Sequence, residues 1–155
     1  MSSPRSRIAR IARLAGIIQV KLDHEVAALS AAQQREQAAL VHHEQSLRTL
    51  AEAHRSAQAK LATGVAAEQW RIQHAWIETL SVAVRDAVSH LEQRRKAVEQ
   101  ARTRVLAARD DLHRIEALLK RMRATQRAED TRLERKAEDD AYAALAALPS
   151  RSRDS

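Results

Sequence analysis

Residues 91–119 read LEQRRKAVEQARTRVLAARDDLHRIEALL and contain neither glycine nor proline. One apolar series recurs in this stretch every seven residues, at Leu91, Val98, Val105, Leu112 and Leu119. A second series lies three residues further along in each heptad and is rich in alanine. Two interleaved series of this kind place an apolar seam along one side of a helix, which is typical of a coiled coil.

The same pattern continues outward from this stretch. From Trp70 to Met122 it holds for about eight heptads, well beyond the three or four that indicate a coiled coil. The two series of this second segment are Trp70, Ile77, Val84, Leu91, Val98, Val105, Leu112 and Leu119, and Gln73, Leu80, Ala87, Arg94, Ala101, Ala108, Ile115 and Met122. A weaker pattern precedes it, in which Ile8, Ala15, Leu22, Leu29, Glu36, His43, Leu50 and Ala57 alternate with Ala12, Gln19, Val26, Gln33, Leu40, Leu47, His54 and Leu61. Each segment is therefore predicted to be one long helix with a single seam.

Gly64 is the strong helix breaker between the two segments. Two seamed helices joined by a short turn are expected to fold back on each other as an antiparallel hairpin. The predicted fold class is all-α, a long two-helix antiparallel coiled-coil hairpin whose second helix extends beyond the first. We expect one hairpin over residues 1–155, with helix 1 at about 6–62, the turn at 63–66, helix 2 at about 67–148 and a disordered tail at 149–155. Ile8 is then expected to lie opposite about Arg121.

The composition excludes most other classes of protein. The 155 residues include no Cys, no Phe, 2 Gly and 2 Pro, and only 2% are aromatic. Loops need Gly and Pro, and packed cores use aromatic bulk, so sheets and barrels are not expected. The 7 His residues form no i,i+4 pair and Cys is absent, so no metal or other cofactor is expected. A two-helix rod also lacks a substrate cavity, and the chain is predicted not to be an enzyme.

The seam becomes polar beyond Met122. Its positions are then occupied by Gln126, Glu129, Lys136 and Asp140. One interpretation is a solvated, partly frayed helix end. The other is a polar docking surface, because a long helix without a partner buries too little to be stable by itself. The sequence leaves both open.

Charged residues around this polar segment resemble a known family. The carrying residues are Ile115-Glu116-Ala117-Leu118-Leu119-Lys120-Arg121, Arg127-Ala128-Glu129, Arg132, Glu134-Arg135-Lys136 and Asp139-Asp140. They resemble the C-terminal pattern of the FliJ/YscO (SctO) family, the small central stalk proteins of type III secretion. That pattern has a Lys-Arg pair, spaced Arg and Glu, a Glu-Gln-Lys run and an acidic pair, and Arg135 stands here where Gln is usual.

The resemblance implies a non-enzymatic stalk or coupling component of a bacterial export machinery, flagellar or injectisome. Its partners would be the hexameric secretion ATPase and the export gate protein, with secretion chaperones as a further class, at the cytoplasmic face of the apparatus. The ATPase-binding residues would be Lys120, Arg121, Arg127, Glu129, Arg132, Glu134 and Lys136. The turn region would face the export gate, with Trp76 as a contact. Trp70 is a second candidate, although its place in the seam series favours packing within the hairpin.

Other functions remain as alternatives to the stalk. A generic coiled-coil adaptor or export chaperone is the main one. The segment from Arg5 to Leu22 has no acidic residue and is a basic amphipathic helix, which favours a membrane surface. Pairing with the second helix explains Ile8, Ala12 and Ala15 equally well, and no apolar run is long enough for stable insertion. The net charge of +7 permits nucleic acid, but acidic residues are interleaved and no aromatic stacking platform is present, so none is expected.

Overall fold

The computed structural model describes residues 2–149, which form two helices and no strand. Helix α1 spans Pro4–Thr63 and helix α2 spans Ala67–Ala146. The predicted fold class, an all-α antiparallel hairpin of two helices, is confirmed. The chain divides into two compact units: the turn unit, residues 21–109, and the terminal unit, residues 1–20 together with 110–155. Of the tail predicted to be disordered, all but Pro149 lies outside the described residues.

The helix ends differ from the predicted ones by two residues at each outer terminus, for reasons visible in the sequence. Helix α1 begins early because Ser3 caps it: the Ser3 Oγ accepts the N–H of Ser6 at 3.2 Å, and Pro4 occupies the first helical position. Helix α2 ends early because Pro149 disfavours helical backbone at Leu148. The turn between the helices is fixed by Gly64, whose φ of 83° lies in the left-handed region.

The seam of the turn unit contains small and medium-sized apolar residues. Val98 is only 2% exposed and packs with Ala32 and Ala101, while Leu29 lies against the same cluster. The other buried residues of this unit are Ala39, Ala87, Leu91, Val105 and Ala108. All of the buried α2 residues belong to the series predicted for the second segment. That part of the coiled-coil prediction therefore holds from Gln73 to Met122, whereas Trp70, the first residue of the series, is exposed.

The buried positions of α1 agree only in part with the prediction for the first segment. The series that starts at Ile8 is buried or half-buried as expected. The companion series lies one residue earlier than predicted, at Ile11, Ile18, Glu25, Ala32, Ala39, Ser46 and Ala53. Of the predicted companions only Ala12 and Leu40 are half-buried, and Gln19, Val26, Gln33, Leu47, His54 and Leu61 are exposed. The seam residues of a coiled coil are spaced alternately three and four residues apart. In α1 the larger side chains mostly lie one position after the true seam residues, so the companion series was predicted one residue too late.

The terminal unit pairs the start of α1 with the second half of α2. Leu112 and Leu119 are buried, and Ile8 lines one groove with Arg121 and Met122, the register expected from the sequence. Gly16 lies inside α1 without ending it, because one glycine costs a helix only about 1 kcal/mol relative to alanine. Over residues 2–149, neither helix has an apolar stretch that would span a bilayer.

Candidate partner-binding surfaces

A groove forms in the terminal unit where α1 begins. This terminal groove has a volume of about 390 Å³. Its lining combines an apolar floor with charged rims: Pro4, Arg7, Ile8, Arg121, Met122, Thr125, Gln126 and Glu129. Two of the residues predicted to bind the ATPase, Arg121 and Glu129, are therefore brought together with the first turn of α1.

Polar residues on the seam of α2 contact each other and the start of α1. Gln126 is half-buried, and its Nε2 donates to Oδ1 of Asp130 at 2.8 Å. The other carboxylate oxygen of Asp130 lies 3.7 Å from Nη2 of Arg5. Both side chains of that ion pair keep solvent contact, so its contribution to stability is on the order of 0–1 kcal/mol. Asp130 therefore holds the seam position that was predicted for Glu129.

Glu129 instead pairs with Arg132 on the exposed surface. Arg132 donates from Nε to Oε2 at 3.1 Å and from Nη2 to Oε1 at 2.7 Å, which makes a bidentate pair. The hydrogen bond from Arg132 lowers the pKa of the Glu129 carboxyl, and the charge of the guanidinium adds to this. The same hydrogen bond raises the pKa of Arg132. Two residues predicted to bind the ATPase are thus held in one fixed geometry.

Beyond Asp130, α2 continues as an exposed helix that we call the C-terminal extension, residues 131–149. Each of these residues is exposed, including Leu133, Tyr142, Leu145 and Leu148. Arg132, Glu134 and Lys136 lie on this extension, while Lys120 and Arg127 are exposed on α2 just before it. All seven residues predicted to bind the ATPase therefore lie on the surface of a segment about 24 Å long, at 1.5 Å per residue.

A second exposed surface lies beside the turn. This turn patch consists of the exposed residues Ile72 and Trp76, which lie one turn apart on one side of α2, while Leu61 and Trp70 are exposed nearby. Trp76 is 56% exposed and lines a groove of about 280 Å³ between the helices, as expected for a contact residue. Trp70 does not pack in the seam, because its ring stacks on His74 one turn along the same helix, with ring centroids 5.2 Å apart. It remains 46% exposed, so the packing interpretation of Trp70 is wrong.

The histidines do not converge on a metal or catalytic site within residues 2–149. In that range no group of three or more His, Asp or Glu side chains is placed to hold a metal ion. His43 is half-buried on the seam, as predicted, and its Nδ1 has no hydrogen-bond partner. His54, which was predicted to lie on the seam, is exposed.

A further exposed surface, which the heptad series does not predict, lies on α1 in the terminal unit. The seam uses Ile8, Ile11, Ala15 and Ile18, and it leaves a different apolar set exposed. We call this set and its charged neighbours the basic–apolar face of α1; it comprises Arg7, Arg10, Arg13, Leu14, Ile17 and Val20. The signal was present in the sequence as apolar residues at Leu14 and Ile17 that fall outside the heptad series. Pairing with α2 therefore does not account for them.

Comparison with known proteins gives one match. A family model described as the flagellar FliJ protein matches residues 7–151, nearly the whole chain. No match was found among curated proteins or among solved structures.

Proposed function

Because the chain belongs to the FliJ family, a family of non-catalytic components of flagellar and type III protein export, we propose that it is a stalk in such an export machinery. In this role it binds the hexameric export ATPase through the terminal unit and the export gate protein through the turn patch. It acts at the cytoplasmic face of the apparatus and carries out no chemistry of its own.

The observation that carries this proposal is the C-terminal extension. It is helical to Ala146, yet each of its residues is exposed. A helix with so little burial gains stability when another surface covers it. A ring of ATPase subunits can surround a projecting helix and contact it from several sides.

The charge of this segment suits a stalk that must not bind one subunit permanently. Lys120, Arg121 and Arg127 precede the extension, and Glu134 and Lys136 lie on it, all exposed. Exposed ion pairs contribute only about 0–1 kcal/mol each, so contacts with one ATPase subunit can break while others form. Several weak contacts together still give useful affinity.

The turn patch supports the second contact. Trp is among the residues that most often dominate binding energy at interfaces. Trp76 and its neighbour Ile72 are exposed beside a groove between the helices. This position in the turn unit leaves the terminal unit free for the ATPase.

The ATPase contact is tested with the purified export ATPase of the same bacterium. Adding the chain should increase hexamer formation and ATP hydrolysis. The double variant Arg127→Ala with Lys136→Ala should lose most of this stimulation, because it removes two of the charges proposed to contact the ATPase. Neither side chain takes part in an ion pair within residues 2–149, so no intramolecular ion pair is broken. The matched control is Arg48→Ala with Arg55→Ala, two exposed arginines of the turn unit. No stimulation by saturating wild-type chain refutes the stalk function.

The gate contact is tested by binding to the purified cytoplasmic part of the export gate protein. Trp76→Ala should weaken binding by about tenfold or more, the cost of losing a hot-spot side chain. The matched control is Tyr142→Ala, which removes an exposed aromatic ring from the C-terminal extension. Equal affinity of Trp76→Ala and wild type would assign the gate contact to another surface.

A further inference from the structure

The basic–apolar face of α1 is exposed, and Arg7 at its edge also lines the terminal groove. Arg7, Arg10 and Arg13 form no ion pair with any residue of 2–149. Leu14, Ile17 and Val20 are exposed between them, and Ile17 is 66% exposed. No acidic residue precedes Asp23 in the sequence. The face therefore requires a partner that is both acidic and apolar.

The C-terminal extension carries a face of that kind. Glu134, Glu138, Tyr142 and Leu145 follow one another at helical spacing, and Leu148 continues the series just after the helix. All are exposed, and neither glutamate forms an ion pair within residues 2–149. We call this set the acidic–apolar face of the extension.

The two faces have the same spacing. From Arg10 the apolar residues follow at Leu14, Ile17 and Val20, in steps of four, three and three residues. From Glu138 they follow in the same steps, at Tyr142, Leu145 and Leu148. Two helices packed in parallel would place Glu138 beside Arg10 and, behind it, Tyr142 beside Leu14 and Leu145 beside Ile17, whereas Leu148 lies beyond the helix end at Ala146 and outside this register.

We propose that these faces bind each other between two copies of the chain, so that the protein forms a homodimer through its terminal units. The extension of each copy lies along α1 of the other, and a two-fold axis relates the two contacts. The two-fold axis reverses the direction of α1 in the second copy. The extension of one copy and α1 of the other therefore run in the same direction and pack in parallel. Each contact joins a positive face to a negative one.

A second copy accounts for more of the structure than an anionic membrane does. A lipid surface would cover the basic–apolar face of α1 and would repel the acidic–apolar face of the extension. A second copy covers both faces at once and gives the extension the burial that its own chain does not supply. The dimer does not rest on the proposed stalk function, and its measurement requires no ATPase. Because the dimer covers the same extension that is proposed to bind the ATPase, it is the state of the free chain and must dissociate before the chain enters the ATPase ring.

The test is sedimentation equilibrium of the full chain with two charge-reversed variants. The α1 variant carries Arg7→Glu and Arg10→Glu, and the extension variant carries Glu134→Arg and Glu138→Arg. Wild type should dimerise as concentration rises and dissociate as salt is added. Each variant alone should raise the dimer dissociation constant by about tenfold or more, because both symmetric contacts become repulsive.

The decisive measurement is an equimolar mixture of the two variants. In the mixed pair, the acidic extension of one copy meets the basic α1 of the other, and the reversed faces also meet with opposite charge. The mixture should therefore dimerise with about the affinity of wild type, which also shows that both variants are folded. The control variant Arg48→Glu with Arg55→Glu, in the turn unit, should dimerise like wild type.

Three results would overturn the proposal: a wild-type chain that stays monomeric, variants that dimerise as well as wild type, or a mixture that does not associate. A monomeric chain that floats with phosphatidylglycerol vesicles, and loses this binding in the α1 variant, would assign the basic–apolar face to lipid instead.

Discussion

Replacing Val98 by alanine should destabilise the protein far more than the same change at Val82. Both valines lie on α2, but Val98 is 2% exposed and Val82 is 49% exposed. Val98 also contacts Ala32 and Ala101, which are too small to fill the space left by two methyl groups. The pair of variants therefore separates burial in the seam from any general effect of valine in a helix.

The magnitude follows from the buried groups. Removing two buried methyl groups costs about 1.6 kcal/mol of transfer free energy. A residual cavity of about 50 Å³ would add roughly 1 kcal/mol at Val98. Alanine favours the helix by about 0.5 kcal/mol at both positions. Val98→Ala should thus lower the free energy of unfolding by about 2 kcal/mol, and Val82→Ala by less than about 0.5 kcal/mol.

Urea unfolding followed by far-ultraviolet circular dichroism measures both values. The midpoint should fall for Val98→Ala, while the slope with denaturant stays unchanged. If the two variants lost equal stability, Val98 would not be at the centre of the seam and the helix pairing described here would be wrong.

Four further substitutions test other parts of the structure. Leu47→Ala should change the free energy of unfolding by less than about 1 kcal/mol. Ala39→Leu should lower it by about 1–3 kcal/mol, because the larger side chain overpacks the seam. Urea unfolding of both variants checks which residues of α1 lie in the seam. Gly64→Ala should cost about 1–2 kcal/mol in the same assay, because its φ of 83° is unfavourable for alanine although no atom would obstruct the new Cβ. The Glu129 carboxyl should titrate below its ordinary pKa by NMR and return toward it in Arg132→Ala. Because the folded pKa is lowered, the stability that this pair contributes is present above the ordinary pKa and is lost as pH falls through the lowered one.

The sequence was sufficient to predict the helix pair and the seam of α2. There apolar residues such as Leu91, Leu112 and Leu119 occupy the buried seam positions, so hydrophobicity and geometry agree in the seam. In α1 they disagree, because the seam uses Ala32 and Ala39 while larger apolar residues lie outside it. Which alanine of α1 faces α2 depends on the distance between the two helix axes. That distance is set by both helices together and cannot be read from the sequence of one.

The candidate surfaces were predicted less completely. The polar seam beyond Met122 left a frayed helix end and a docking surface both open, and Trp76 is exposed as expected. The stacking of Trp70 on His74 could not be predicted, because a tryptophan on a heptad position satisfies the seam pattern equally well. The ion pair of Arg5 with Asp130 was also not predicted, because a charged residue looks the same in the sequence whether or not it forms an ion pair.

The alanines of the seam have a mechanical consequence. In the turn unit, Ala32, Ala39, Ala87, Ala101 and Ala108 are all buried. A buried leucine holds one rotamer against the facing helix, and shifting the helices requires it to cross a torsional barrier. Alanine has no rotamers to change. Leu91, Val98 and Val105 keep such barriers at their own positions, but the alanine layers between them can shift slightly without rotamer jumps. Under a twisting load the helices of this unit should therefore yield smoothly over small displacements, as an elastic spring does, and recover when the load is released.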